Sequence, residues 1–213
     1  MGATATPTDL PGVILAGGLS RRMGADKATT VMAGLTLLDH VANRLSPQVG
    51  NLAVNSNQPT FVTHLPRISD KILGYAGPLA GIARAMEFAR QVSSSSHVLV
   101  APIDTPFLPA DMTQRLLSMA ANDKTVVLAR SLGRVHPVIG LWPVALKETI
   151  EDWLNTPDNR KLMYFVQDQQ CIEVEFQAIE TTHGPLDPFF NVNSPDDLAR
   201  AEIYLKALSH DIK

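Results

Sequence analysis

A chain of 213 residues with a single cysteine and a net charge of −3 has no internal disulfide available, and it is long enough to bury a core without a metal staple. Its 18 basic and 21 acidic residues leave no basic stripe of the kind a phosphate backbone demands, so no nucleic-acid partner is expected. No apolar run approaches the roughly 20 residues of a membrane helix, and the opening MGATATPTDL lacks the cation and apolar stretch of a leader, so a cytoplasmic, single-domain protein (1–213) with a frayed start and no membrane contact is expected.

Short apolar runs alternate along the chain with segments of helical spacing. GVILA, from residue 12, stops at Gly17 and Gly18, and its lack of polar alternation suits a strand covered on both faces, the habit of parallel sheets. Leu38, Val41, Ala42 and Leu45 share one helix face. NLAVN, from residue 51, reads as the next strand, and Ile82, Met86 and Ala89 mark a second helix. The serines 93–96 make a short joint before HVLVAP at 97, after which Met112, Leu116 and Met119 fit a third helix. TVVLA at 125 and VIGLW at 138 read as further strands, while CIEVEF at 171 alternates apolar and acidic residues as an edge strand or hairpin arm does. Ser194, Pro195, Asp196 and Asp197 combine a capping hydroxyl, a first-position proline and first-turn acids, which predicts a helix to about Leu208. The alternation predicts an α/β fold with a mostly parallel, doubly wound sheet, whose ligand crevice lies just past GVILA, NLAVN and HVLVAP.

The chemistry-bearing residues fall at those strand ends. Gly17 and Gly18 allow a sharp turn that offers amide N–H groups to an anion, and they fit an ordinary strand-to-helix turn as well. No GK[ST] follows and no G-x-G-x-x-G is present, which excludes a Walker loop and weakens the case for dinucleotide binding. Arg21, Arg22 and Lys27, with Arg44 further off, supply cations that suit a triphosphate, and Arg22 and Lys27 are the candidates to meet it. In APIDTPFLP, residues 101–109, Asp104 stands where prolines stop a strand; it fits Mg²⁺, which takes oxygen ligands and shares substrate phosphates, and it also fits turn chemistry. Asp70, ahead of GYAGPLAG, is a second acidic candidate, and Asn55 at the end of NLAVN serves either a ligand or a turn. In FFNVNSP, residues 189–195, an extended backbone sends Asn191 and Asn193 to one face and Phe190 and Val192 to the other. His136, in GRVHPVIG, reads as loop architecture or a substrate contact, and no histidine or cysteine spacing suggests zinc or a nucleophile.

Taken in order, LAGGLSRRMGADK, GPLAG, APIDTP, HPVIGLWP and FNVNSPDDL resemble the motif series of the molybdenum cofactor guanylyltransferases, the MobA-type nucleotidyltransferases, from Gly12 to Leu205. The resemblance implies a three-layer Rossmann-like nucleotidyltransferase fold that joins GMP from GTP to the terminal phosphate of the molybdopterin cofactor, using Mg²⁺ and releasing pyrophosphate. It implies that Leu15, Ala16, Gly17 and Gly18 hold the guanine nucleotide by backbone, that Arg22 and Lys27 act on its phosphates, and that Asn55 and Asp70 add nucleotide contacts. Asp104 becomes the metal ligand and a catalytic residue with Arg22 and Lys27. Gly77 and Gly81 let backbone approach the substrates, and Asn191 and Asn193 make cofactor-side contacts. The implied protein partners supply molybdopterin or are molybdoenzymes that accept the finished dinucleotide. Two departures stand out: MGADK, where relatives often read M-G-G-x-D-K, and AGLTLLDH, which leaves residues 30–37 without an assigned path. The sister cytidylyltransferases tend to read L-A-A-G where this chain has Leu15, Ala16, Gly17 and Gly18, so the second glycine favours GTP over CTP. A nicotinamide-binding oxidoreductase, whose fingerprint is missing here, is the alternative from a different class.

Overall fold

The computed structural model describes residues 9–17, 29–58, 60–71, 77–156 and 161–210. The first apolar run is strand β1 (Pro11–Leu15), and every residue of it is buried. A small hairpin follows, β2 (Val31–Met32) and β3 (Leu35–Thr36), then helix α1 (Leu37–Leu45), β4 (Asn51–Asn55) and β5 (Arg67–Ile68). Helix α2 (Pro78–Val92) leads to β6 (His97–Pro102), and α3 (Met112–Met119) to β7 (Val126–Ser131) and β8 (Arg134–Pro143). Helices α4 (Lys147–Asn155) and α5 (Leu162–Gln167), strand β9 (Cys171–Phe176) and helix α6 (Pro195–His210) complete the order.

Seven strands form one sheet in the order β5-β4-β1-β6-β8-β7-β9. Every strand but β8 runs the same way, so the mostly parallel sheet expected from the unalternating apolar runs is what forms. VIGLW belongs to the exception. Leu132 and Gly133 make a two-residue turn at φ 47° and 75°, and so tight a connection can only return the chain antiparallel. CIEVEF is the edge strand β9, parallel to β7, and its acidic residues point outward.

Alternate residues of the strands feed opposite layers. Ile14, Val54, Leu99 and Val127 face the side covered by α1 and α3, while Val13, Ala53, Val100 and Leu128 face α2, α4 and α5. This makes the three layers, helix on sheet on helix. A third cluster of Met32, Leu37, Phe107, Leu186, Val192 and Ala201 joins the β2–β3 hairpin to the loop after β6 and to α6. The unassigned residues 30–37 thus form the hairpin, with its turn at Ala33 and Gly34, and the cap of α1. Asp39 N donates to Thr36 Oγ1 at 3.1 Å and Thr36 N donates back to Asp39 Oδ2 at 3.3 Å, a capping box worth about 1 kcal/mol.

Two buried positions in the sheet generate stability predictions. A Cβ on Gly140 of β8 would stand 2.2 Å from the Val127 carbonyl oxygen, so only glycine lets β8 lie this close to β7. Gly140→Ala should lower unfolding stability by about 3 kcal/mol or more in urea denaturation, because ladder backbone, not a flexible side chain, must move. His97 is 4% exposed, its Nε2 lies 3.0 Å from the Thr125 carbonyl, and burial pushes its pKa below the ordinary value. Below about pH 6.5 the unfolded chain takes up a proton that folded His97 resists, so stability falls as pH drops from there through the lower folded value. Thermal unfolding between pH 7 and 5 should show a shallower decline for His97→Gln than for the unsubstituted chain.

Candidate active site

Strand β1 is where the winding of the sheet reverses. From it the chain goes to one side, through α1, to β4 and β5, then returns through α2 to β6 on the other side. Leu15 pairs with Asn55 and with Pro102, so the three strand ends lie level. The pairing continues one residue further: Ala16 N donates to Asn55 O at 2.9 Å, and Ile103 N donates to Leu15 O at 3.0 Å. The Ala16 amide is therefore taken up within the sheet. Of the backbone that the motif resemblance gives to the nucleotide, this leaves the stretch from the Ala16 carbonyl onward. Gly17 is exposed, and a Cβ on it would meet no described atom within 4 Å, so packing inside the described protein does not require glycine there. Gly18, Arg22 and Lys27 lie outside the described residues.

One wall of the crevice rises from β4. Asn55 is 2% exposed, and its Nδ2 donates to Asp70 Oδ1 at 2.8 Å. Asn57, which sequence reasoning missed, donates from Nδ2 to Asp70 Oδ2 at 2.7 Å and accepts from the Asp70 amide at 2.8 Å. Its position two residues after Asn55 was the available signal, since residues of equal parity along an extended chain share a face. Asp70 is thus a fixed acceptor clasped by two amides, and each carboxylate oxygen keeps further capacity to accept. Arg84 of α2 supports the clasp from behind, with Nε donating to Ser69 O at 3.0 Å.

The two glycines of GPLAG do different things. Gly81 is buried, and a Cβ there would stand 3.0 Å from Asn55 Oδ1 and 3.1 Å from Leu15 Cδ2, so its bareness lets α2 press on the β1 and β4 strand ends. Gly77 is exposed, caps α2 at φ 73°, and is followed by Pro78 in the first helical position. This first turn is at the carboxyl edge of the sheet, where the helix dipole is positive.

The opposite wall rises from β6. Asp104 is half-buried two residues beyond Pro102, and its carbonyl accepts from Val192 N at 2.9 Å. That bond brings FFNVNSP, distant in sequence, beside Asp104. Val192 is buried and the partly buried Phe190 packs against the same cluster, while Asn191 and Asn193 are partly exposed. Asn191 Oδ1 is buried with no hydrogen-bond partner among the described residues, an arrangement that costs about 1–3 kcal/mol unless something donates to it. Past the segment, Asp197 accepts from Asn193 N at 3.1 Å and from Ser194 Oγ at 2.8 Å, and its amide donates to Ser194 Oγ at 3.1 Å. The bond from Ser194 holds the Asp197 pKa below the usual carboxylate range and fixes the start of α6.

His136 is 7% exposed and lies in strand β8, paired with Ala129 of β7, where the sequence suggested a loop or a substrate contact. Its Nε2 is 2.8 Å from Ser131 Oγ, and Ser131 Oγ donates to Asp187 Oδ1 at 2.6 Å. Burial pushes the His136 pKa below its ordinary value. Ser131 and Asp187 were invisible as partners from sequence, because the Leu-Gly turn that sets Ser131 against the returning strand lacks the usual Asn-Gly or Asp-Gly signature.

Asn55 and Asp104 flank β1, so the two walls are about two strand spacings, or roughly 10 Å, apart. Among the described residues no three histidine, cysteine, aspartate or glutamate side chains converge as metal ligands. A single carboxylate such as that of Asp104 suits a hard cation that completes its sphere with water and phosphate oxygens, and does not suit a closed zinc site. No described helix is long and apolar enough to cross a membrane.

Comparison with known proteins agrees with this architecture. Residues 12–171 match the MobA-like NTP transferase domain. A molybdenum cofactor guanylyltransferase of Sinorhizobium fredii is 43% identical over 202 residues, which is 93% of each chain. The crystal structure of molybdopterin-guanine dinucleotide biosynthesis protein A from Archaeoglobus fulgidus superimposes with a TM-score of 0.72 at 19% identity, over 92% of this chain and 99% of that one. A Mycobacterium tuberculosis protein solved as a complex with manganese superimposes at 0.62 with 13% identity, over 91% of this chain and 97% of that one. The nucleotidyltransferase fold is shared across all of these. At the identity shown by the Sinorhizobium relative, over nearly the whole of both chains, this protein belongs to the molybdenum cofactor guanylyltransferase family, within the MobA-like NTP transferases.

Proposed function

We propose that this nucleotidyltransferase transfers GMP from GTP to the molybdopterin cofactor, forming the guanine dinucleotide and releasing pyrophosphate, with Mg²⁺ as its metal. The observation that carries the proposal is the bond from Val192 N to Asp104 O, which sets the two-amide segment beside a carboxylate and across β1 from the Asn55–Asp70 clasp. Two polar walls on one crevice suit two polar substrates that must meet between them.

On this reading the β4 wall takes the nucleoside: Asp70, held rigid by Asn55 and Asn57, accepts from its hydroxyl or amino groups. Backbone from Gly17 and Gly18, with Arg22 and Lys27, offsets the charge of the triphosphate. Asn191 and Asn193 orient the molybdopterin, whose ring amides supply the donor that Asn191 Oδ1 lacks. A terminal phosphate oxygen of the molybdopterin then attacks the α-phosphorus in line. A new P–O bond forms as the bond to the α,β-bridging oxygen breaks, and its electron pair leaves with pyrophosphate. Because the attacking phosphate is ionised near neutral pH, the protein's task is positioning and charge stabilisation, not proton abstraction. Bound at Asp104, Mg²⁺ would supply charge neutralisation on the phosphates. The manganese complex of the Mycobacterium tuberculosis protein supports a divalent cation on this fold. Proteins that deliver molybdopterin and molybdoenzymes that accept the dinucleotide are the macromolecular partners this reaction calls for.

Two experiments test this reading. The purified protein given Mg²⁺, molybdopterin cofactor and GTP should release pyrophosphate and form the dinucleotide, whereas faster turnover with CTP would assign it to the sister cytidylyltransferase activity. Asp104→Asn should cut turnover by about a hundredfold or more at unchanged thermal stability, since it removes a metal ligand while keeping the turn's shape. Near-normal activity of that variant would remove Asp104 from the metal site.

A further inference from the structure

The segment that carries Asn191 and Asn193 has almost no ladder of its own. Its backbone–backbone bonds among the described residues include an isolated bridge between Leu186 and Ile179, a turn bond from Phe190 N to Asp187 O at 3.0 Å, and the Val192–Asp104 bond, and Asn193 N donates to Asp197 Oδ2 at 3.1 Å. Three buried or half-buried side chains supply what the ladder does not. Ser131 is fully buried, and its one proton goes to Asp187 Oδ1 at 2.6 Å, so its lone pairs are left to accept from His136 Nε2–H at 2.8 Å. The same Asp187 oxygen accepts from Phe189 N at 2.9 Å, and the Phe189 ring lies 4.9 Å from the His136 ring, tilted by 52°.

The order of these groups excludes nucleophile chemistry. In a hydrolytic triad the histidine stands between serine and carboxylate and takes the serine proton. Here the serine stands in the middle, gives its proton to the carboxylate, and has no exposed surface. The hairpin itself does not need the network, because β7 and β8 are already paired from Ser131 and Arg134 downward. What the network fixes is the segment on top of it.

We propose that His136, acting through Ser131 and Asp187, is a positioning residue that holds the 187–193 segment in place beside Asp104 and so sets the molybdopterin side of the site. This rests on Asn191 and Asn193 meeting the molybdopterin. The segment is anchored at both ends, by Asp187 on the β7–β8 hairpin and by Val192 on the loop after β6. Loosening the first anchor loosens the hold on the approach to Asn191, while Asn193 keeps its bond to Asp197 Oδ2 and the Asn55–Asp70 clasp, on the far side of β1, is untouched.

Steady-state kinetics with each substrate varied, together with amide hydrogen exchange at Val192, test the proposal. His136→Ala should raise the KM for molybdopterin cofactor by about tenfold or more, the scale of a small misplacement, while the KM for GTP stays within about twofold. Val192 exchange should speed up in the same variant. His136→Gln, whose amide N–H reaches the former Nε2 position, should restore both. Ser131→Ala, which removes the middle group with little change of volume, should behave like His136→Ala and stands in for it should that variant fail to fold. Unchanged Val192 exchange in the alanine variants, equal effects on both KM values, or no rescue by glutamine would overturn the proposal. Asn191→Ala separates the two readings. Should it raise the molybdopterin KM while His136→Ala does not, the positioning role fails and the site reading stands; should it leave that KM unchanged while Val192 exchange still responds to His136, the site reading fails and the positioning role stands.

Discussion

The pairing of β1 with β4 on one side and β6 on the other is the constraint on which the site depends. A strand buried along its whole length must satisfy every backbone group inside the sheet. Here the ladder holds to its last residue and one beyond, through Ala16 to Asn55 and Leu15 to Ile103. Only after Ala16 does the chain leave the sheet, so bare backbone begins at one defined level, with Asn55 and Asp104 beside it. Gly81 extends the same constraint to the helix layer: without a Cβ, α2 comes down on Leu15 and Asn55 and holds the strand ends from behind.

The charge of the molecule makes this local arrangement necessary. A protein with net charge −3 does not attract phosphates by its overall field, so binding a triphosphate and a second phosphate has to come from short-range groups. The β4 wall is built from amides clasping one carboxylate, and Asp104 adds another, which by themselves repel phosphate. On the proposed reaction, a cation at Asp104 and the basic residues after Gly18 would reverse that sign. On that reading, a preference for metal and arginine over a general base follows from electrostatics before any mechanism is considered.

The sequence made the strands, their burial and the crevice legible, because fully apolar runs that stop at glycine, asparagine or proline leave few alternatives. NLAVN and HVLVAP end as strands β4 and β6 end. What stayed illegible has physical reasons. The direction of β8 turned on a Leu-Gly hairpin with positive φ at leucine, which propensity does not favour. The hairpin at 31–36 was missed although Thr36 and Asp39 spell a capping box, since strands of two residues leave too short a pattern to recognise. Ser131 and Asp187 meet across a long stretch of chain, and a pairing of that kind is fixed by topology and not by local spacing.

The two walls of the crevice are built by different means, and this bears on how they behave. The β4 wall continues a parallel ladder and is backed by α2, so opening it means breaking into the sheet. The opposite wall is an irregular segment held by side-chain bonds and a few backbone ties, and it carries a buried amide oxygen with no partner among the described residues. Segments with few ladder bonds open at lower free energy than core strands, and binding sites draw on them because a ligand must enter. A site with one rigid wall and one that a ligand completes binds its substrates unequally. On the proposed assignment the nucleotide meets a preformed surface, while the second substrate would contribute a donor to Asn191 Oδ1 and gain from the ordering it brings, so its affinity would be sensitive to whatever holds that segment.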